Sequence, residues 1–104
     1  MTRIIDTQEF RTEVENTSEI TVVDFFATWC GPCKMLAPVF DELGNDIDKA
    51  KFLKVDIDKS LELARRFQVT TVPTVIVFKD GEEAERLVGF IPKQKLEDMV
   101  NAHI

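Results

Sequence analysis

Cys30 and Cys33 are the only two thiols in the chain, and they stand two residues apart in Trp29-Cys30-Gly31-Pro32-Cys33-Lys34. The apolar run from Ile20 to Ala27 before them reads as a buried strand, and the periodic pattern from Met35 to Ile47 after them reads as a helix. A close pair of thiols at a strand-to-helix turn suits redox exchange. The first turn of a helix leaves backbone N–H groups unpaired and its dipole favours negative charge, so a thiolate at Cys30 would be stabilised there. Residues i and i+3 share a helix face. Once Cys30 has bonded to a substrate sulfur, Cys33 is therefore placed to attack that bond. Reduced substrate then leaves, and a Cys30–Cys33 disulfide remains. Three plainer readings compete. Zinc needs about four ligands, and the only histidine, His103, lies at the far end of the chain. A structural disulfide over so short a loop restrains little. The pair could also be two inert thiols.

Asp24 is a charge among apolar neighbours. Along the strand Val22, Asp24 and Phe26 share one face, while Val23, Phe25 and Ala27 share the other. Both faces are otherwise apolar, so Asp24 is expected to be buried, with a raised pKa if it has no partner. Cys33 must ionise to resolve a mixed disulfide, and a buried carboxylate is a suitable proton acceptor for it. The alternative is a carboxylate near the strand end that reaches solvent or a backbone N–H. Gly31 and Pro32, between the cysteines, are neutral. Pro32 fixes φ and has no N–H. A charged histidine at position 32 would stabilise the reduced thiolate and make the couple more oxidising. Pro32 cannot, so the couple is expected to be comparatively reducing.

The elements that must position these groups follow in order. Ile4-Ile5 suits a short first strand. Asp6 and Glu9 have the spacing of a reciprocal helix cap, with Phe10 and Val14 as an apolar i, i+4 pair, so a short helix is expected over roughly 7–16. After the strand 20–27 comes the helix carrying Leu36, Val39, Phe40, Leu43 and Ile47, with Pro38 inside it as an expected kink. Phe52 to Asp56 reads as an inner strand whose sole basic residue is Lys54, expected at the surface with its stem over the sheet. Asp58 or Ser60 is the expected cap of a short helix through Phe67. Thr74 to Phe78 is a strand, Asp80-Gly81 a hairpin turn, and Glu85 to Val88 its antiparallel return, exposed on one side. Pro92 suits the first turn of a last helix with Leu96, Met99 and Val100 inward. This alternation predicts an α/β fold, a three-layer α/β/α sandwich.

At 104 residues the chain is expected to form one domain, residues 1–104, with a core that needs no staples. A net charge of −6 argues against nucleic acid and anionic membrane as partners. The sequence shows neither a transmembrane run nor an apolar signal segment after Met1, so a cytoplasmic location is expected, where a close cysteine pair is more useful as a working couple than as a staple. His103 reads as a solvated tail residue, and no metal site is expected.

The hexapeptide Trp29 to Lys34, preceded by Val23-Asp24-Phe25-Phe26-Ala27-Thr28, resembles the thioredoxin family, and the likeness continues to Phe90. The resemblance implies a thioredoxin fold with a five-stranded mixed sheet in the order 1-3-2-4-5 and four flanking helices. It implies protein-disulfide reductase activity, with Cys30 as nucleophile, Cys33 as resolving thiol and Asp24 as the buried aspartate that takes the Cys33 proton. It places at Lys54 the lysine that neighbours this aspartate. An X–Pro bond is usually trans, but the resemblance implies a cis Val72–Pro73 bond opposite the cysteines. Trp29 read alone could be a core residue. The resemblance instead puts Trp29, Gly31, Pro32, Val72, Pro73 and Gly89 in an apolar substrate-binding patch around Cys30. It further implies no bound cofactor, with electrons from NADPH through a flavin-containing thioredoxin reductase. The clients it implies are of the ribonucleotide reductase, peroxiredoxin and methionine sulfoxide reductase classes, and the protein is expected to act as a monomer. A non-redox binding subunit of a partner enzyme could use the same patch. Departures are Phe26, where many members carry tryptophan and where altered packing is expected more than altered chemistry, Thr70-Thr71, and the large Phe90 after Gly89.

Overall fold

The computed structural model describes residues 2–104. These form a five-stranded sheet in the order β1-β3-β2-β4-β5, made of Arg3–Ile4, Ile20–Phe26, Ala50–Asp56, Thr74–Lys79 and Glu82–Val88 for β1 to β5. β1 and β2 flank β3 in parallel, while β2–β4 and β4–β5 are antiparallel. The expected strand order and mixed sheet are present. β2 lies centrally and is buried on both faces, as its continuous apolar run requires.

Four helices cover the two faces. On one side α1 (Thr7–Phe10, continued as a π-helical turn Arg11–Glu15) and α3 (Leu61–Arg66) pack Phe10, Val14, Leu63 and Ala64 against Val23, Phe25, Val55, Ile76 and Phe78. On the other, α2 (Gly31–Asp46) and α4 (Lys93–Asn101) pack Leu36, Phe40, Leu43, Leu96 and Val100 against Val22, Val75 and Val77. The period-two alternation of β2 thus sends Val22 and Asp24 toward α2, and Val23 and Phe25 toward α1 and α3.

Several local expectations hold and several shift. Asp6 and Glu9 form the reciprocal cap, but the first helix widens to a π turn closed by the Asn16 N–H donating to the Arg11 carbonyl at 2.9 Å. Ile5 falls just outside β1, although its N–H still donates to the Lys54 carbonyl. α2 starts at Gly31, four residues earlier than its apolar periodicity indicated, and runs through Pro38 unbroken. Gly44 lies where a Cβ would meet the Phe52 Cβ at 3.2 Å, so its lack of a side chain lets α2 sit close on β3. Ser60 occupies the cap position of α3 but makes no side-chain cap bond, and Pro92 precedes α4 as its cap residue rather than lying in its first turn. β5 begins at Glu82, and its first four residues are exposed on both sides. Charged residues along such an edge discourage pairing with other chains. His103 is not a free tail group, because its Nε2 lies 2.8 Å from Glu85 Oε1 on β5.

The turn between β4 and β5 has positive φ at Asp80 (52°) and Gly81 (80°), as an Asp-Gly hairpin requires. A Cβ at Gly81 would also strike the Glu15 carbonyl. Gly81→Ala is therefore expected to destabilise the fold by about 2 kcal/mol. In urea titration its midpoint should fall with the slope unchanged; an unmoved midpoint would contradict this turn geometry.

Candidate functional site: a cysteine pair at the start of a helix

The two cysteines sit where β2 ends and α2 begins. Cys30 is the cap residue of α2, in extended backbone conformation, and Gly31 and Pro32 form its first residues. Pro32 costs nothing there, because the N–H it lacks would have had no helical partner. The Cys33 N–H donates to the Cys30 sulfur across 3.1 Å. Cys30 and Cys33 are joined as a disulfide with their Cα atoms 5.2 Å apart. The i, i+3 spacing thus brings both sulfurs together, and the helix start supplies a donor to the first of them.

Exposure does not separate the two cysteines. Both residues are only 4% exposed, so Cys33 is not the more sheltered one. The physical reason is that Cys30 folds back over the first turn of α2, between its N–H groups and the loop before β4. The Cys30 sulfur lies 3.6 Å from the Val72 carbonyl oxygen, a contact that the thiol form can use as a hydrogen bond. The Val72–Pro73 bond is cis. The Thr74 hydroxyl donates to the Thr71 carbonyl at 2.6 Å, which fixes this loop, and the Gly89 N–H donates to the Pro73 carbonyl at 2.7 Å, which ties the two loops together.

Trp29, Gly31 and Pro32 adjoin the cysteines in the chain, Val72 packs against them, and Gly89 is joined to Pro73 through its N–H. Pro73 is buried, so it shapes the surface from beneath rather than forming part of it. Trp29 is 68% exposed, which removes the core-packing reading. Its indole N–H donates to Asp58 at 2.8 Å, which ties the ring to the loop after β3. Gly31 and Gly89 face open space, and Gly89 has φ of 90°. Phe90 and Val88 add exposed apolar surface next to it.

Asp24 is fully buried on the α2 side, and neither carboxylate oxygen has a hydrogen-bond partner. The reading in which it reaches solvent or a backbone N–H is thereby excluded. Burial raises its pKa from 3.8 to about 7, the Lys54 charge pulls it back down, and the Asp41 charge adds to the rise. Lys54 is the register partner of Asp24 on β3, and its ammonium lies 4.8 Å from the centre of the Phe26 ring. An open cavity of about 210 Å³ lined by Phe26, Ala27, Thr28, Cys33, Lys34, Ala37 and Lys54 adjoins the second cysteine.

Asp58, Asp41 and Ile57 belong to this neighbourhood and were not singled out for it in the sequence. Asp58 reads in the sequence only as a helix cap, and Ile57 packs against the cluster of Ala27, Cys30 and Cys33. The position of Ile57 and Asp58 just past the carboxyl end of β3 is the available signal, because loops there gather at the functional edge of an α/β sheet; Asp41 lies within α2 and carries no such signal. Among the described residues no group of three or more His, Cys, Asp or Glu side chains is placed to hold a metal ion. No helix among them is long and apolar enough to cross a membrane.

A family model described as Thioredoxin matches residues 1–102. A thioredoxin of Staphylococcus saprophyticus is 51% identical over 88 residues, covering 84% of this chain and 85% of that one. A thioredoxin of Staphylococcus epidermidis is 47% identical over 97 residues, covering 92% and 91%. Among solved structures, Fasciola hepatica thioredoxin superposes with a TM-score of 0.90 at 36% identity, and Plasmodium falciparum thioredoxin with 0.91 at 32%, each over the whole of both chains. Such likeness along nearly the full length, together with a cysteine pair already joined at a helix start, leaves one conclusion: this chain belongs to the thioredoxin family and is a thiol–disulfide oxidoreductase that reduces protein disulfides through Cys30 and Cys33.

Proposed function

We propose that Cys30 is the attacking sulfur, Cys33 the resolving one and Asp24 the acceptor of the Cys33 proton. The observation that carries the assignment is the Cys33 N–H aimed at the Cys30 sulfur at the start of a 16-residue helix. A backbone donor and a helix N-terminus both favour the thiolate form of Cys30. In the dithiol protein this thiolate attacks one sulfur of a client disulfide, forms a mixed disulfide and expels the other client sulfur as a thiolate. Cys33 gives its proton to Asp24 and attacks the Cys30 sulfur. The Cys30–Cys33 bond forms, the second client thiolate departs, and two electrons have passed from protein to client. A carboxyl with a pKa of about 7 is matched to taking and returning a proton near neutral pH. Lys54 tunes that carboxyl.

The client docks over Trp29, Val72 and Gly89, with Pro73 shaping the groove from below. Val72 presents main chain beside the sulfur, so an extended client segment adds to it as a short strand. The apolar, shallow character of the surface suits many clients with little sequence choice. No bound cofactor is needed, since the dithiol itself carries the electrons. A flavin-containing, NADPH-dependent thioredoxin reductase recharges it, and ribonucleotide reductase, peroxiredoxins and methionine sulfoxide reductases are the client classes. The protein acts as a cytoplasmic, single-domain monomer.

Reduction of insulin disulfides tests this reading, first with dithiothreitol as electron source and then with NADPH and thioredoxin reductase. Insulin left intact under dithiothreitol would overturn the assigned roles, and failure with the second source alone would overturn the NADPH route. Gly31 and Pro32 set the potential by adding no charge. Pro32→His is expected to make the couple more oxidising; each tenfold stabilisation of the thiolate by the charged ring raises the potential by about 30 mV. Glutathione titration reads this directly, and an unmoved potential would refute the role given to Pro32.

A further inference from the structure

Lys54 and Asp24 are register partners on adjacent parallel strands, so both side chains leave the sheet on the same face. An ammonium beside a buried carboxylate would ordinarily close an ion pair with it. It does not do so here. Both Asp24 oxygens lack a hydrogen-bond partner, and among the described residues no carboxylate lies within 4.0 Å of the Lys54 ammonium. The ammonium instead sits 4.8 Å from the centre of the Phe26 ring. Phe26 is two residues beyond Asp24 on β2 and shares its face, so the Lys54 stem leans past the carboxylate toward the end of the strand. Phe26, Lys54 and Cys33 then line the same open cavity.

We propose that Phe26 is a positioning residue for the disulfide exchange: its ring anchors the Lys54 ammonium beside Asp24 but not on it, so the positive charge acts on the carboxylate through space without closing a contact pair. The negative face of an aromatic ring attracts a cation, and without it a flexible four-carbon stem is free to carry the charge into solvent. The groups facing Asp24 leave this charge few rivals. β3 supplies Lys54, α2 supplies Asp41, β4 supplies the neutral Val75, and α4 packs Leu96, Met99 and Val100 on that side. The consequence for catalysis rests on Asp24 being the proton acceptor; the anchoring itself does not.

The test is a carboxyl-carbon NMR titration of Asp24 in the oxidised full-length chain. Lys54→Met and Phe26→Leu are each expected to move the Asp24 midpoint upward, by about half a pH unit or more. Phe26→Tyr, which keeps an aromatic face, should stay near the parent. The double variant Phe26→Leu with Lys54→Met should titrate no higher than Lys54→Met alone, because both changes remove the same interaction. If Phe26→Leu does not fold, Phe26→Met replaces it. A Phe26→Leu midpoint equal to the parent's, an additive double variant, or a Lys54→Met midpoint that fails to move would each overturn the proposal. The pH profile of client release from the mixed disulfide separates the two readings. If the NMR midpoint moves and that profile does not, the anchoring stands and the proton-acceptor role of Asp24 falls.

Discussion

Cys30→Ser is expected to lower insulin-reducing turnover by more than about 10³-fold, because a serine hydroxyl does not ionise near neutral pH and forms no bond to sulfur that Cys33 could resolve. Cys33→Ser is expected to fail differently. Cys30 can still attack, but the mixed disulfide has no neighbour to break it, so a covalent adduct with the client should accumulate. Mass spectrometry should find the client mass added to the chain, released again by dithiothreitol. If Cys33→Ser turned over normally, or if the adduct formed through Cys33 in Cys30→Ser, the assigned order of attack would be wrong. The pair also addresses the binding-subunit reading. A subunit that only stabilises a partner keeps its function with both cysteines replaced by serine, whereas a reductant loses it.

Asp24→Asn is expected to make the oxidised protein more stable at pH 8 while slowing its chemistry. The folded carboxyl titrates at about 7 and the unfolded one near its ordinary 3.8. Between those values the folded state holds a proton that the unfolded state has lost. Stability therefore falls as pH rises through this window, from full contribution below about 3.8 to full cost above about 7. The shift corresponds to about 4 kcal/mol at most. An unpaired buried amide takes back part of that, so the net gain at pH 8 should be about 2 kcal/mol. Below about pH 4, where the carboxyl is protonated in the folded state and increasingly so in the unfolded one, only the amide cost remains, so the difference should change sign, to about 2 kcal/mol against the variant. Urea unfolding at several pH values checks this, and a difference that did not depend on pH would rule out an ionised Asp24 as its source. Resolution of the mixed disulfide at pH 7 should slow by about 10²-fold, since on the proposed mechanism Cys33 loses its proton acceptor. The gap should close above pH 9, where the thiol ionises without help.

The sheet order, the buried strand before the cysteines and the two-sided core are all legible in the sequence. The reason differs from element to element. The run Ile20 to Ala27 is apolar on both faces, and only a central strand satisfies that. The Asp80-Gly81 pair supports the positive φ values of its turn. Strand order came from the family likeness, since periodicity carries no information about which strands are neighbours. The start of α2 was misplaced because Cys30 to Lys34 have no apolar periodicity to read. What begins that helix is a sulfur accepting a backbone N–H, together with Pro32, and neither leaves a hydrophobic pattern.

The sequence by itself settled which atoms exchange electrons. Two cysteines at i and i+3, and one acid in an apolar strand, constrain the chemistry because spacing and burial follow from local backbone geometry. Only the tertiary structure decided how those atoms are held. It placed the Val72 carbonyl against the Cys30 sulfur from 42 residues away and set Asp58 at the Trp29 indole N–H from 29 residues away. It also turned the Lys54 ammonium onto Phe26 instead of Asp24. These are contacts between segments far apart along the chain. They depend on strand register and on the path of a flexible side chain, and neither is encoded in the residues next to either partner.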